Sequence, residues 1–218
     1  MYEDAPLVVK LWGDFACFTR PEMKVERVSY PVPTPSAVRG ALEAIFWKPE
    51  FRWRVKRIDV LNPIRYFSLL RNEVNTKAAV SSIKGWGAGD GYYADLDRAQ
   101  RHTLALRDVA YLVWADVELA PHANGIDTAK YRDQFRRRVA CGQCRHQPYL
   151  GCREFVAFFG PPNGSEQPFP VTEDLGLMLF DMDYASDGSG RGQPRFFPAK
   201  LVNGTLEVPQ ELYAGKEV

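Results

Sequence analysis

The alternation of apolar and polar positions divides the first 160 residues into strands and helices. Apolar runs predict a first strand over 7–18 and a second over 51–66. In the second strand the apolar phase changes after Val55, and because side chains alternate faces along a strand, this change predicts a bulge or bend. Similar patterns predict a third strand over 106–119 and a fourth over 149–159.

Two further segments have the apolar period of amphipathic helices. The first begins after Thr34, which is a favourable N-cap, and places Pro35 at the first helical position. It ends before Pro49, since proline cannot continue a helix. The second helix is predicted over 128–140. Its narrow apolar stripe, at intervals of four residues, comprises Tyr131, Phe135 and Val139.

The order strand, helix, strand, strand, helix, strand is that of the ferredoxin-like fold, which RRM domains share. We therefore predict an α+β chain with a ferredoxin-like (RRM-like) domain over 1–161, containing an antiparallel sheet and two helices. A small C-terminal antiparallel β region should follow over 162–218, with a strand near 175–183 and a hairpin turn at Asn203-Gly204. Segment 67–103 has no clear period, so we predict a long variable loop there.

Composition and charge fit a globular chain and leave the partner open. The formal net charge is only +1, which by itself does not indicate nucleic acid. Arginines are nevertheless dense in 52–57 and 132–138, and a local basic patch can bind phosphate in a nearly neutral protein. Acidic Glu3 and Asp4 argue against a secretory signal, and there is no apolar run of transmembrane length. We expect a cytoplasmic protein with reduced thiols and no membrane partner.

The sequence contains few of the motifs that hold metals or cofactors. Cys141 and Cys144, followed by His146 and Cys152, could supply four zinc ligands, but their spacing is irregular for a zinc knuckle, and we favour a structural role for the cysteines. There is no carboxylate cluster for two-metal chemistry, no phosphate-binding glycine loop and no nucleophile elbow. We predict no metal and no cofactor.

Metal-free RNA cleavage needs only a base, an acid and a cation around one phosphate. Lys130 and Tyr131 stand at a helix start, where backbone N–H groups attract phosphate. The alternative is that Tyr131 belongs to the core and Lys130 is merely solvated. His146, beside Arg145 in a polar loop, could transfer a proton or donate to phosphate, or could equally be solvated.

Five stretches of the sequence match a known family in the same order: GDFACFT (13–19), SYPVPTPSAVRGALEAIFWKPEFRW (29–53), NPIRY (62–66), LRDVAYLVWADVEL (106–119) and YRDQFRRRVACGQCRHQPYLGCREFVAFF (131–159). Through these stretches the sequence resembles the Cas5d family, the type I-C Cas5 subunit of CRISPR defence in the RAMP superfamily. The resemblance implies a protein that binds the CRISPR repeat stem-loop and cleaves precursor crRNA without a metal, leaving a cyclic phosphate. It also implies that the protein stays with the guide in a type I-C interference complex.

The resemblance also implies positions for the active site. Phe46 stands where the family has a tyrosine, Lys130 where it has a lysine, and Tyr131 where it has a histidine. The predicted catalytic residues are Lys130, Tyr131 and His146. The predicted RNA contacts are Tyr30, Arg39, Phe46, Arg52, Arg54, Lys56, Arg136, Arg137, Arg145 and Arg153. Two alternatives remain open: a non-catalytic subunit that holds the guide RNA, and a general nucleic-acid module with affinity for duplex DNA.

Overall fold

A computed structural model describes residues 5–23, 25–76, 79–86, 91–123, 127–184, 188 and 190–214. The strands are β1 (Leu7–Ala16), β2 (Arg27–Val28), β3 (Phe51–Val60), β4 (Tyr66–Val74), β5 (Arg98–Leu119), β6 (Phe158–Gly160), β7 (Glu173–Tyr184), β8 (Gly192–Val202) and β9 (Thr205–Glu207). The helices are α1 (Pro35–Ile45), α2 (Val80–Trp86) and α3 (Thr128–Ala140), with 3₁₀ turns at Ala94–Leu96 and Gln210–Tyr213. This confirms the α+β class. No helix in the described part of the chain is long and apolar enough to cross a membrane.

The first helix forms where the sequence predicts it. The N–H of Ala37 donates to Thr34 Oγ1 at 3.2 Å, so Thr34 satisfies one of the free donors at the helix start. The apolar face of α1 is buried, with Leu42 and Ile45 fully covered. The helix ends earlier than predicted because the backbone is already extended at Phe46.

The described strands form one sheet in the order β6-β1-β5-β3-β9-β8-β7, with β2 and β4 also paired to β5. Neighbours along this order are antiparallel. The register between β3 and β5 shifts between Val55 and Arg57, which confirms the predicted irregularity. Both α1 and α3 pack on one face of this sheet: the Trp53 and Phe135 rings lie 4.6 Å apart, and Trp53 Nε1 donates to the Phe46 carbonyl at 2.9 Å.

Two predictions about irregular segments are wrong in part. The ends of the predicted loop 67–103 form a long hairpin, with β4 paired to the first half of β5 from Tyr66 opposite Leu106 to Val74 opposite Arg98. This hairpin escapes the apolar pattern because one face of β4 is exposed, the other is only half-buried, and both carry apolar as well as polar residues. Conversely, the predicted strand over 149–159 is reduced to β6, since the residues before it form turns.

The C-terminal region continues the sheet and the core of the first region. Its Asn203-Gly204 turn, with positive φ at both residues, is the predicted hairpin turn. Strand β9 pairs with β3, and Phe180 and Phe197 belong to the same buried cluster as Trp53. The sequence predicts a separate region from residue 162, but both sheet and core extend across that boundary.

Candidate nucleic-acid interface

The first turn of α3 separates two predicted catalytic residues into different environments. Lys130 is exposed, whereas Tyr131 is only 3% exposed and its ring centroid lies 5.0 Å from that of Phe51 and 6.3 Å from that of Phe46. Burial, and to a smaller extent the charge of Glu50, raises the pKa of Tyr131 above its usual value. A base would need a lowered pKa, so this placement supports the packing role of Tyr131.

Phe46 and His146 further divide the predicted catalytic set. Phe46 is 2% exposed and lies in the core beside Tyr131. His146 lies beyond the opposite end of α3, and that helix of 13 residues is roughly 20 Å long. Lys130 and His146 are therefore held by different segments, one in the first turn of α3 and one in the loop that follows its last turn.

The basic strand β3 is neutralised within the protein. Arg52 Nε donates to Glu118 at 2.6 Å, and Arg54 Nη1 lies 3.5 Å from the same carboxylate. This pairing lowers the pKa of Glu118. Lys56 Nζ lies 3.4 Å from Asp116. Their partners lie on the adjacent strand β5. We therefore infer that the main role of these three cations is to stabilise the fold and not to contact RNA.

Tyr30 and Arg39 connect the first region to β7. Tyr30 is fully buried, and its hydroxyl donates to the Leu177 carbonyl at 3.4 Å and accepts from the Leu179 N–H at 3.3 Å. Arg39 forms a close ion pair with the buried carboxylate of Asp181. The predicted RNA contacts at Tyr30 and Phe46 are not exposed to a ligand in this structure.

A groove lies where the loop after α3 folds back onto the end of α1. The N–H groups of Arg145 and His146 both donate to the Ala44 carbonyl, at 2.8 and 3.1 Å. Arg138 Nη1 donates to the Ile45 carbonyl at 3.1 Å, so the C-terminal carbonyls of α1 are satisfied by α3 and its loop. The groove has a volume of about 730 Å³. Its lining comprises Gly40, Glu43, Ala44, Trp47, Arg145, His146, Gln147, Tyr149 and Arg153.

The groove combines free cations with exposed aromatic rings. Arg145 and Arg153 are exposed, and neither forms an ion pair with any residue that the structure describes. The Arg145 guanidinium lies 5.7 Å from the Trp47 ring centroid. Trp47 and Tyr149 are 39% and 40% exposed. Guanidinium groups bind phosphate and open rings stack on unpaired bases, so this lining suits single-stranded RNA.

The groove also holds two groups that can exchange protons. His146 is exposed, and its backbone is fixed by the bond to Ala44. Burial raises the pKa of Glu43 above its usual value, although Arg39 at 3.4 Å acts in the opposite direction. Glu43 and His146 line the same groove, and a carboxyl with a raised pKa and an imidazole are residue types that serve as acid and base.

Three groove residues were missed by sequence reasoning: Glu43, Trp47 and Tyr149. Glu43 reads as an ordinary solvated helix residue until the returning loop covers it. Trp47 could have been identified from the sequence, because it comes after the buried end of α1 and does not belong to the apolar face of that helix. The remaining predicted contacts, Arg136 and Arg137, are exposed on α3, and Arg136 pairs with Asp133 at 2.8 Å.

The four side chains considered as zinc ligands are not grouped around a common point in the described structure. Within the described ranges no three His, Cys, Asp or Glu side chains are grouped as metal ligands. Cys141, Cys144 and Cys152 are free thiols, as is buried Cys17.

An α+β chain with an exposed groove of arginines, aromatic rings and a histidine has the features of a nucleic-acid-binding protein. The sequence comparison specifies which kind. The Cas5d family model, described as CRISPR-associated protein (Cas_Cas5), matches residues 6–209. The chain therefore belongs to the Cas5d family of CRISPR-associated proteins.

Two relatives cover nearly the whole chain. A protein of Thermus thermophilus is 50% identical over 224 residues, with 96% of this chain and 93% of the relative covered. A protein of Mannheimia succiniciproducens is 44% identical over 215 residues, covering 91% and 92%. Both are named CRISPR pre-crRNA endoribonuclease Cas5d.

Solved structures share the fold. A crystal structure of a CRISPR-associated protein superposes with a TM-score of 0.67 at 22% identity, covering 97% of this chain and 95% of the other. A chain of a CRISPR RNA-guided surveillance complex superposes with a TM-score of 0.51 at 14% identity, covering 91% of each chain. At these identities the similarity concerns the fold alone.

Proposed function

We propose that this protein is a metal-independent endoribonuclease that binds the repeat stem-loop of a CRISPR precursor transcript and cleaves it in the groove between α1 and the loop after α3. The observation that carries this proposal is the convergence of His146, Glu43, Arg145 and Arg153 on one open groove. The names of the two relatives, at 50% and 44% identity, support the substrate class.

The groove contains the three components that cleavage without a metal requires. Neutral His146 takes the proton of the 2′-hydroxyl, and that oxygen attacks the adjacent phosphorus. Glu43 gives a proton to the departing 5′-oxygen, a role that the upward direction of its pKa shift favours. Arg145 and Arg153 stabilise the charge that develops on the phosphorane oxygens. The upstream product then ends in a cyclic phosphate.

The other exposed cations extend the RNA path beyond the groove. Lys130 lies at the N-terminus of α3, where backbone donors favour phosphate, and Arg136 and Arg137 lie exposed along the same helix. We assign these three residues to phosphates of the stem, away from the bond that is cut.

The finer fold assignment and the partners belong to the same proposal. The strand order β6-β1-β5-β3, with α1 and α3 on one face, supports the proposal of a ferredoxin-like, RRM-like core that β7, β8 and β9 extend. After cleavage the protein remains on the guide as a subunit of a type I-C interference complex in the cytoplasm. The fold shared with a chain of a surveillance complex supports this role. Contact with duplex DNA would occur within that complex.

Cleavage of a labelled repeat RNA in excess EDTA tests the proposal. We expect His146→Ala to reduce the rate by roughly 10²–10⁴-fold, with repeat binding retained, and Glu43→Gln to reduce it as well. His122→Ala is the matched control, since His122 is also exposed but lies outside the groove. Wild-type protein that binds the repeat without cutting it would favour the guide-holding alternative. Full activity of the His146 variant would place the site elsewhere, and Lys130→Ala would then be the next test.

A further inference from the structure

Two cysteines outside the groove chemistry lie close together at the end of β1. Cys17 follows β1 directly and is fully buried, and its N–H donates to the Leu150 carbonyl at 3.0 Å. Cys152 lies two residues after Leu150, with its Sγ 3.6 Å from the Cys17 carbonyl oxygen. Gly151 permits this approach, because a Cβ at that position would lie 2.0 Å from the same oxygen.

The surroundings of Cys152 differ from those of an inert buried thiol. Arg27 Nη1 lies 3.7 Å from Cys152 Sγ, and the side chain of Cys152 is only partly buried. Hydrogen bonding with Cys17, and to a smaller extent the charge of Arg27, lowers the pKa of Cys152 against the opposing effects of burial and the charge of Glu154, while the same contact and burial raise the pKa of Cys17. Arg27 is held in place by Glu154 at 3.0 Å and Glu73 at 3.3 Å. A partly exposed thiol beside an arginine and a second thiol is the arrangement found at redox-active cysteines.

We propose that Cys152 and Cys17 are a peroxide-reactive dithiol pair in which Cys152 is the attacking and Cys17 the resolving residue. The Cys152 thiolate attacks one oxygen of hydrogen peroxide and breaks the O–O bond, giving a sulfenic acid and hydroxide. The Cys17 thiol then attacks the sulfenic sulfur, its proton leaves with the hydroxyl group as water, and a disulfide forms. Each disulfide consumes one peroxide, which is reduced by two electrons. This inference does not depend on the proposed function.

The disulfide would join the end of β1 to the segment that leads into the groove. Tyr149 and Arg153, on either side of this contact, both line the groove. Oxidation therefore fixes a wall of the groove to the sheet, and a change in RNA affinity is an additional readout.

Mass spectrometry with thiol alkylation tests the pair on the full-length protein. After treatment with hydrogen peroxide we expect the loss of two hydrogens, and protection of Cys17 and Cys152 from iodoacetamide. Cys17→Ser should stop the reaction at a sulfenic acid on Cys152, which dimedone traps. Protein in which Cys152 stays fully alkylatable at peroxide concentrations that oxidise exposed Cys141 would overturn the proposal.

Two control variants separate the pair from the other thiols and from misfolding. The double variant Cys141→Ser/Cys144→Ser keeps the competing Cys-x-x-Cys motif out of the reaction and should form the disulfide at the wild-type rate. Arg27→Gln should slow alkylation of Cys152 near neutral pH and shift the midpoint of its pH profile upward. An unchanged profile in Arg27→Gln, with an unchanged melting temperature, would contradict the role of the arginine. Disulfide formation between Cys141 and Cys144 alone would also overturn the assignment.

Discussion

Replacing Tyr131 by phenylalanine or by alanine distinguishes packing from chemistry at the start of α3. The Tyr131 hydroxyl forms no hydrogen bond with the residues that the structure describes, so Tyr131→Phe should change the free energy of unfolding by less than about 1 kcal/mol. Tyr131→Ala removes a ring that is 3% exposed and packs against Phe46 and Phe51. Loss of a buried aromatic ring of this kind costs about 3–5 kcal/mol.

Thermal unfolding and RNA cleavage measure the two outcomes. For a chain of this length the alanine variant should melt roughly 6–20 °C lower, and the phenylalanine variant near the wild-type temperature. Cleavage by Tyr131→Phe should equal that of the wild type, because Tyr131 is buried in the core and does not line the groove. A loss of about 10²–10⁴-fold in Tyr131→Phe, with binding intact, would refute this reasoning and restore Tyr131 as an acid–base group.

Three further predictions concern charge and stability. Replacing Arg145 and Arg153 together by alanine should reduce the salt dependence of repeat RNA binding by roughly one to two ions in an anisotropy titration, whereas Arg52→Ala should leave that slope unchanged; equal slopes in all three proteins would contradict the groove. Glu118→Gln should lower the free energy of unfolding by about 0.2–1 kcal/mol at neutral pH, measured by urea titration. The ion pair that lowers the pKa of Glu118 stabilises the fold fully at pH values above the pKa of this carboxyl in the unfolded chain. This difference should disappear as pH falls through the lowered value; a difference independent of pH would contradict the ion pair. Asp59→Ala should cost about 3–5 kcal/mol in one cooperative thermal transition, because this buried carboxylate accepts donors from three strands; two separate transitions would mean that the C-terminal strands unfold on their own.

Local sequence patterns predicted the structure correctly where one face of an element packs on the core and the other faces solvent. The α1 cap at Thr34, the irregularity after Val55 and the Asn203-Gly204 turn all follow from such local signals and are present in the structure. The β4–β5 hairpin had no such signal, because apolar and polar residues occur on both the exposed and the half-buried face of β4. Leu150 and Phe155 belong to a turn-rich segment, and their side chains are buried in the core. Their apolar pattern therefore led to the wrong prediction of a strand.

The site was predicted less completely because it depends on contacts between distant segments. Arg52 and Arg54 look like a phosphate-binding face until the register places Glu118 opposite them. His146 and Arg145 were identified from composition, but their partner Glu43 belongs to the groove only because the loop after α3 returns to the end of α1. The family resemblance pointed to Phe46 and Tyr131, which the structure brings together in the core.

The chemical identity of the new RNA end tests the central claim most directly. Wild-type protein is incubated with repeat RNA in excess EDTA, and the upstream fragment is analysed by mass spectrometry. Attack by the 2′-hydroxyl in the groove predicts a 2′,3′-cyclic phosphate on that fragment, formed roughly 10²–10⁴-fold more slowly by His146→Ala. A fragment ending in a free 3′-hydroxyl, or cleavage that requires an added divalent metal, would contradict the account.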